Sequence, residues 1–344
     1  MRGFGQRGRV LALTAGLLAA ATACTSAPAP TPTRSAAQPS TPAARSSAAA
    51  EPLVTPKLAA KIFAEVTLPG NDLALATTAP AFENRVRMAV ELVRDGQLDL
   101  TKAAYATSGS RPPQRVWGRP TFLIPRFAPG EKAPWFSALV TRDGQQTLLT
   151  FRGPAWALSS AAQLLPGAQF PQVKLDDEGY ATALPPDDKS ITISPRYMGP
   201  VHAAVAEAGA KGPTAGLISE GPYTTEIAGQ ITDARDAAKL AMWSYDSIFS
   251  PDTYPAFALR TTDGGALIQY SLSRRTTMEN RTDSSYHPRP VPESARWAVG
   301  AAWATRGYKF TEVHQYAVAV PPSTAPRPAD LIAHDGGVTQ GSKV

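Results

Sequence analysis

The sequence predicts an α+β protein made of two related tandem domains, in each of which helices pack on a curved antiparallel sheet. Three observations predict this class. Stretches with helical apolar periodicity precede runs of alternating apolar residues, and short Asp-Gly turns join some of those runs. Parts of the pattern also occur twice along the chain. Helices gathered before antiparallel strands indicate α+β and argue against a parallel, doubly wound sheet.

The first 23 residues have the features of a secretory signal peptide. Three arginines near the start give a positive segment, and an apolar stretch of 12 residues follows at 10–21. That stretch is too short to span a bilayer core, which needs about 20 residues. Small residues at 21–23 then precede a cysteine. We therefore predict cleavage between Ala23 and Cys24.

Cys24 is the only cysteine of the chain, so an exported form cannot contain an intramolecular disulfide. The small residues before it resemble the lipobox of bacterial lipoproteins. That resemblance implies a diacylglyceryl group on the Cys24 thiol, with the membrane as a partner through this lipid anchor. It also implies a place on the outer face of the cell membrane. The alternative is an ordinary signal peptide with an unpaired cysteine near its end.

Residues 24–52 consist almost entirely of Ala, Pro, Ser and Thr. A stretch without large apolar side chains cannot bury enough surface to offset the entropy of ordering, so we predict a disordered stalk. The formal net charge of +6 falls to +3 without the three arginines of residues 1–23, and no block of five basic residues follows. This composition argues against nucleic acid as a partner.

The remaining residues are numerous enough for two domains. The run 136–144 matches 256–264, each ending in Asp-Gly, and the segment 180–186 matches 316–322. The offset is larger for the second match, and an insertion near Thr276–Pro292 would account for it. We predict a first domain over 53–210 and a second over 211–344.

Helix signals occur at four places. The first helix begins at Thr55-Pro56, the second covers Ala81–Arg94 and is ended by Gly96, the third follows Ser194-Pro195, and the fourth lies within Thr224–Ser247.

Several segments resemble actinobacterial lipoproteins of a family known only as a domain of unknown function. They are the lipobox, the stalk, residues 178–183, the helix start at Ser194-Pro195 and residues 254–261. The resemblance covers most of 53–344 and implies no catalytic residue. The predicted layout is also similar to folds of the nuclear-transport-factor or cystatin type.

Catalytic and metal-binding motifs are missing from the sequence. There is no Gly-x-Ser-x-Gly elbow and no phosphate-binding loop, and the four histidines, His202, His287, His314 and His334, lack metal-ligand spacing. We predict no catalytic residue, metal or cofactor. We expect His202 to be exposed on its helix. As an alternative, Glu312 and His314 lie two residues apart on one strand face and could serve acid–base chemistry.

Two other sets of residues have a functional and a structural interpretation. The acidic residues at 176–178 and 187–188 could hold calcium, but they lack the spacing of a calcium loop, and we interpret them as solvated turns. Aromatic residues could form a binding patch with the segment 276–292 as its rim, although most aromatic rings are core. The candidates are Trp117, Trp135, Trp156, Trp243, Trp297, Trp303, Tyr254, Tyr286 and Tyr308.

These observations together favour a lipid-anchored binding module that recognises an envelope protein, peptide or glycan, and not an enzyme. The alternatives are a hydrolase or transferase acting on envelope material, and a purely structural spacer.

Overall fold

The computed structural model describes residues 52–75, 81–109, 111–127, 130–282 and 287–344. The predicted signal peptide, Ala23, Cys24, all but the last residue of the stalk, and Tyr286 lie outside these described residues. The described chain falls within a compact unit that runs from Ala50 to Val344. None of its described helices is both long enough and apolar enough to cross a membrane.

The described residues form six α-helices. Their bounds are α1 Pro56–Leu75, α2 Ala81–Glu91, α3 Asp95–Thr107, α4 Pro195–Ala208, α5 Glu226–Leu240 and α6 Arg296–Val299. The four predicted helices are present, although the fourth ends before Met242, whose φ of 61° leads into a strand.

The prediction that Gly96 ends a helix is wrong, because Gly96 lies in the first turn of α3. A Cβ at this position would come within 3.2 Å of the side chains of Val313 and Gln315 on the sheet. Glycine therefore lets the start of α3 approach the sheet closely.

Nine strands form one antiparallel sheet in the order β1-β2-β3-β4-β11-β10-β7-β5, and β6 also pairs with β7. Their bounds are β1 Thr121–Leu123, β2 Trp135–Arg142, β3 Gln145–Arg152, β4 Ala157–Leu164, β5 Trp243–Pro251, β6 Phe257–Arg260, β7 Ala266–Asn280, β10 Gly307–Val320 and β11 Asp330–Lys343. The short strands β8 Arg289–Pro290 and β9 Trp303–Ala304 form a separate pair.

The sheet curls strongly, so that strands far apart in its order approach one another. The hydroxyls of Ser137 on β2 and Thr150 on β3 both donate to Gln269 Oε1 on β7, at 3.0 and 2.6 Å. Trp135 at the start of β2 also packs against Phe257 of β6, with ring centroids 5.1 Å apart. This curvature brings the first and last thirds of the described chain together around one end of the sheet.

The α+β class with a large antiparallel sheet is confirmed. Strands from both predicted halves share this sheet, because β4 pairs with β11 at Leu164↔Ala333. The division near residue 210 and the nuclear-transport-factor or cystatin layout stay predictions. Of the two internal matches, 136–144 and 256–264 both lead into hairpins, whereas 180–186 forms only isolated bridges and 316–320 belongs to β10.

Alternate residues of the central strands face different helices. Ile268, Tyr270 and Leu272 of β7 join Met198 and other apolar residues of α4 in one core cluster. On the opposite face, Ser271 lies beside α3 near Gly96. Because side chains alternate between the two faces of a strand, one face of β7 is mostly apolar and the other carries Leu267 together with the polar residues Gln269 and Ser271.

Candidate functional site

A groove with a volume of about 760 Å³ lies where the curled sheet approaches itself. Its walls are the loop between β1 and β2, the first turns of α4, the segment 183–186 and the connection between β5 and β6. It is lined by six prolines, Pro185, Pro186, Pro195, Pro200, Pro251 and Pro255, and by four aromatic residues, Phe127, Trp135, Tyr254 and Tyr270. We refer to this site as the proline groove.

The walls of the proline groove are held by close packing. The Trp135 ring contacts the Phe127 ring edge-on, with centroids 6.1 Å apart, and the Phe257 ring, with centroids 5.1 Å apart. On the opposite wall, a Cβ on Gly199 of α4 would lie 3.2 Å from the Pro251 side chain, so glycine allows α4 to approach the end of β5. Proline fixes φ and offers no N–H, so these walls present rigid apolar surface with few backbone donors.

A carboxylate without a complete set of partners lines the proline groove. Asp252 follows β5, and its Oδ2 is buried without a hydrogen-bond partner among the described residues. Burial raises the pKa of Asp252 to about 6; the hydrogen bond from Ser273 opposes this rise, and the nearby charge of Asp99 adds to it. Such a group gains from any donor or cation that enters the groove.

Two further acidic side chains belong to this region: Asp99, which is close to Asp252, and Glu131, which also lines the groove. The Tyr254 hydroxyl donates to Asp99 Oδ2 at 3.0 Å, and burial followed by the charge of Asp99 raises the pKa of Tyr254. Glu131 lines the groove from the β1–β2 loop, and its Oε1 accepts the backbone N–H of Ala133 at 2.9 Å.

Both arginines of the proline groove are already engaged. Arg126 donates to Asp176 at 3.0 Å and to Glu178 at 2.9 Å, and its guanidinium lies 4.5 Å from the centre of the Tyr180 ring. Arg196 pairs with Asp187 at 2.6 Å. The predicted acidic turns therefore hold the groove arginines by ion pairs, and Asp188 pairs separately with Arg260 at 3.1 Å.

The histidine predicted to be exposed is fully buried. His202 Nε2 lies 2.7 Å from the Tyr223 carbonyl oxygen and must carry the proton, so Nδ1 accepts the Tyr270 hydroxyl at 2.7 Å. The prediction was wrong because His202 lies one turn after buried Met198, on the face of α4 that packs on the sheet. Burial lowers the pKa of His202 to about 4.

Two more histidines lie close to His202. His314 Nδ1 and His334 Nε2 are 3.0 Å apart, and burial lowers their pKa values to about 3 and about 4. Aromatic rings pack around all three histidines, and we refer to the set His202, His314, His334, Tyr223, Tyr270 and Tyr316 as the imidazole layer.

Glu312 and His314 lie two residues apart on β10, but each engages a different side chain. Glu312 is 3.6 Å from Arg274, whereas His314 contacts His334. His287 is exposed elsewhere. Within the described ranges, no three His, Cys, Asp or Glu side chains are grouped so that they could hold a metal ion.

The tryptophans have different environments. Trp243 is buried, Trp303 is 61 % exposed, and Trp135 lines the proline groove. Trp117, Trp156 and Trp297 are half-buried in core clusters, and Tyr308 is buried. The first five residues of the segment 276–292 are the end of β7, which continues to Asn280 and pairs with both β5 and β10, and the rim of an aromatic patch at this segment stays a prediction.

Sequence reasoning missed Asp252 as a site residue. The available signal was the segment Pro251-Asp252-Thr253-Tyr254-Pro255, in which two prolines restrict a carboxylate and an aromatic ring. Such a segment between strands is rigid and displays its side chains at fixed positions.

Comparison with known proteins gives a family without an established activity. An uncharacterized lipoprotein of Streptomyces avermitilis is 31% identical over 153 residues, which cover 42% of this chain and 44% of the relative. One from Streptomyces coelicolor is 29% identical over 211 residues, covering 56% of this chain and 58% of the relative. The chain thus spans about half the length of these relatives, and no solved structure gives a significant match.

The family model described as domain of unknown function DUF8094 matches residues 76–343, which include the whole sheet and the lining of the proline groove. This chain therefore belongs to the DUF8094 family, whose relatives include uncharacterised actinobacterial lipoproteins.

Proposed function

We propose that this protein is a lipid-anchored module on the outer face of the cell membrane, and that it binds an envelope ligand in the proline groove. Cys24 would carry the lipid and the residues up to 52 would act as the stalk. The two related tandem domains, 53–210 and 211–344, stay part of this proposal, and residues from both ranges line the groove. A binding role without catalysis fits the missing catalytic motifs and the separate partners of Glu312 and His314.

The observation that carries the binding role is the composition of the proline groove. Ligand sites are concave, mostly apolar, between about 300 and 1,000 Å³, and contain a few placed polar groups. The groove combines about 760 Å³ with proline and aromatic walls and with Asp252, whose buried oxygen has no hydrogen-bond partner among the described residues. A purely structural spacer would not need a groove of this composition with an incompletely bonded carboxylate in its lining.

The anchor is tested by intact mass spectrometry of the protein extracted from membranes, beside Cys24→Ala. We expect a mature chain that begins at Cys24 and carries acyl groups, and no such species from the variant. An unmodified chain released to the medium would contradict the anchor and leave the groove proposal unaffected.

Ligand binding in the proline groove is tested by a substitution that fills the groove with a large side chain. Ala256 is exposed and lines the proline groove, so Ala256→Trp should occupy it, whereas Ala237→Trp places the same ring on an exposed position of α5. The soluble peptide and glycan fractions of a bacterial cell-wall digest serve as probes. Because a ligand that binds only the folded state raises the melting temperature, we expect a rise for the wild type and Ala237→Trp but not for Ala256→Trp. Equal rises in all three would place binding outside the groove.

A further variant, Glu312→Gln, tests the alternative of an envelope hydrolase or transferase. An enzyme working through Glu312 and His314 would lose turnover of wall material in Glu312→Gln and keep its ligand binding. A binding module shows no turnover in either form.

A further inference from the structure

Carboxylates outside the lining neutralise the arginines of the proline groove, whereas the carboxylates of the lining have no such partners within the described chain. Its lining contains two carboxylates, Glu131 and Asp252, and two guanidinium groups, Arg126 and Arg196. The two arginines are paired with three more carboxylates, those of Asp176, Glu178 and Asp187. Five carboxylates therefore accompany two guanidinium groups, and Asp99 accepts a hydrogen bond from the Tyr254 hydroxyl.

The two lining carboxylates take no part in these pairs. Among the described residues, neither Glu131 nor Asp252 has an ion-pair partner within 4.0 Å. Each arginine, by contrast, has a carboxylate of its own within 3.0 Å. The unmet electrostatic requirement of the groove is thus for positive charge.

The uncharged surface of the groove fits an extended polypeptide. Aromatic-lined grooves recognise proline-rich segments because these segments are preformed, lose little entropy on binding and stack their rings on flat apolar surfaces. Trp135 and Tyr254 provide the flat rings, and their faces also attract cations. A neutral glycan would use the rings but would leave the excess negative charge uncompensated.

We propose that the ligand is an extended, proline-containing peptide segment that places one lysine or arginine side chain against Asp252. This inference rests on the proposed binding function and names the class of ligand. The apolar walls hold the backbone and flanking residues of the peptide. Asp252 and Glu131 select the basic side chain by charge-assisted hydrogen bonds, which are roughly twice as strong as neutral ones.

The test uses the full-length protein solubilised in detergent and two synthetic peptides. One is a proline-rich peptide with a single central arginine, and the other carries citrulline in its place, which keeps the shape and removes the charge. We expect the arginine peptide to bind at least about tenfold more tightly to the wild type, because hydrogen bonds between charged groups are stronger than those to a neutral group. Fluorescence anisotropy measures both dissociation constants.

Variants show whether Asp252 is responsible for the preference for the positively charged peptide. In Asp252→Asn the preference for arginine over citrulline should largely disappear, and in Glu131→Gln it should shrink. Asp246→Asn is the matched control, because Asp246 lies on β5 and pairs with Arg235 at 2.9 Å outside the groove; it should keep the full preference. Glu131 is exposed, so the second variant still answers the question if Asp252→Asn does not fold.

The outcomes separate this inference from the proposed function. Equal binding of both peptides to the wild type, with loss of both in Ala256→Trp, would overturn the charge preference and keep the groove as a binding site. Binding of a neutral chitooligosaccharide but of neither peptide would overturn the ligand class and keep the groove. Failure of every probe, including the wall fractions, would contradict both.

Discussion

Tyr270 belongs to both the proline groove and the imidazole layer. The two regions differ in how completely their buried polar groups are hydrogen-bonded. In the imidazole layer, His202 has both ring nitrogens hydrogen-bonded, and His334 packs 4.3 Å from the Tyr223 ring and 4.9 Å from the Tyr316 ring. In the groove, the lining residue Asp252 keeps one buried carboxylate oxygen that has no hydrogen-bond partner among the described residues.

The difference indicates which polar cluster serves stability and which serves recognition. Buried polar groups are costly unless they are hydrogen-bonded, so a largely satisfied cluster under α4 contributes to a well-defined core. His314 Nε2 is its exception, as it has no hydrogen-bond partner among the described residues. A groove carboxylate with too few hydrogen-bond partners lowers the free energy of unfolding, and a ligand that supplies the missing partner can offset that loss.

The largest expected effect is on the free energy of unfolding. Tyr316 is 1 % exposed at the centre of the imidazole layer, so Tyr316→Ala should lower that free energy by about 3–5 kcal/mol, as for other large aromatic truncations. Tyr254→Ala, at the half-buried groove wall, should cost far less and should weaken peptide binding. Urea denaturation of both variants checks this contrast. A loss of similar size from Tyr254→Ala would mean that the groove wall is as structural as the layer.

A second expected effect is acid sensitivity from the imidazole layer. The pKa values of His202, His314 and His334 are lowered from 6.5 to about 4, 3 and 4, so the unfolded chain binds more protons than the folded one between these limits. Stability should therefore fall as pH drops from about 6.5 towards about 4, by at most about 4 kcal/mol per pH unit for three protons.

Groups around the layer modify this slope. The raised pKa values of Glu312 and Asp252 act in the opposite direction over part of the same range. Arg274 faces His314 and disfavours its protonation, whereas Asp335 favours protonation of His334. His202→Gln should reduce the slope by about 1.4 kcal/mol per pH unit, and exposed His287→Gln should leave it unchanged. Denaturation curves at several pH values measure the slope, and equal slopes in both variants would contradict the assignment.

The sequence predicted the elements better than their arrangement. Local signals such as Ser194-Pro195 and the Asp-Gly turns locate α4 and the hairpins, because they act within a few residues. The pairing of β4 with β11 joins segments about half the chain apart, and no local pattern specifies it. The burial of His202 depends on the same long-range packing, since only the sheet shows which face of α4 points inward.

The candidate site was still harder to predict from the sequence. Trp135 and Tyr254 were identified as aromatic candidates, but their approach depends on the curl that brings β2 to β6. Asp252 has no motif, and its distinction is an oxygen without a described hydrogen-bond partner, which exists only once the chain is folded. Conversely, the interpretation of Cys24 comes entirely from sequence, because that residue lies outside the described part of the chain.

The smallest expected effect is the contribution of Asp252, in the proline groove, to the pH dependence of stability. The pKa of Asp252 is raised from 3.8 to about 6, so its charged form is disfavoured in the folded state, and stability decreases as pH rises through this range. Asp252→Asn should therefore stabilise the ligand-free protein at pH 7, by about 1 kcal/mol after allowance for partial exposure, and should change little at pH 4. Asp246→Asn should give no such gain, because it only removes an exposed ion pair. A variant that is more stable yet discriminates charge less well would show that Asp252 is kept for recognition at a cost in stability. A loss of stability at pH 7 would instead show that Asp252 has structural partners and belongs with the imidazole layer.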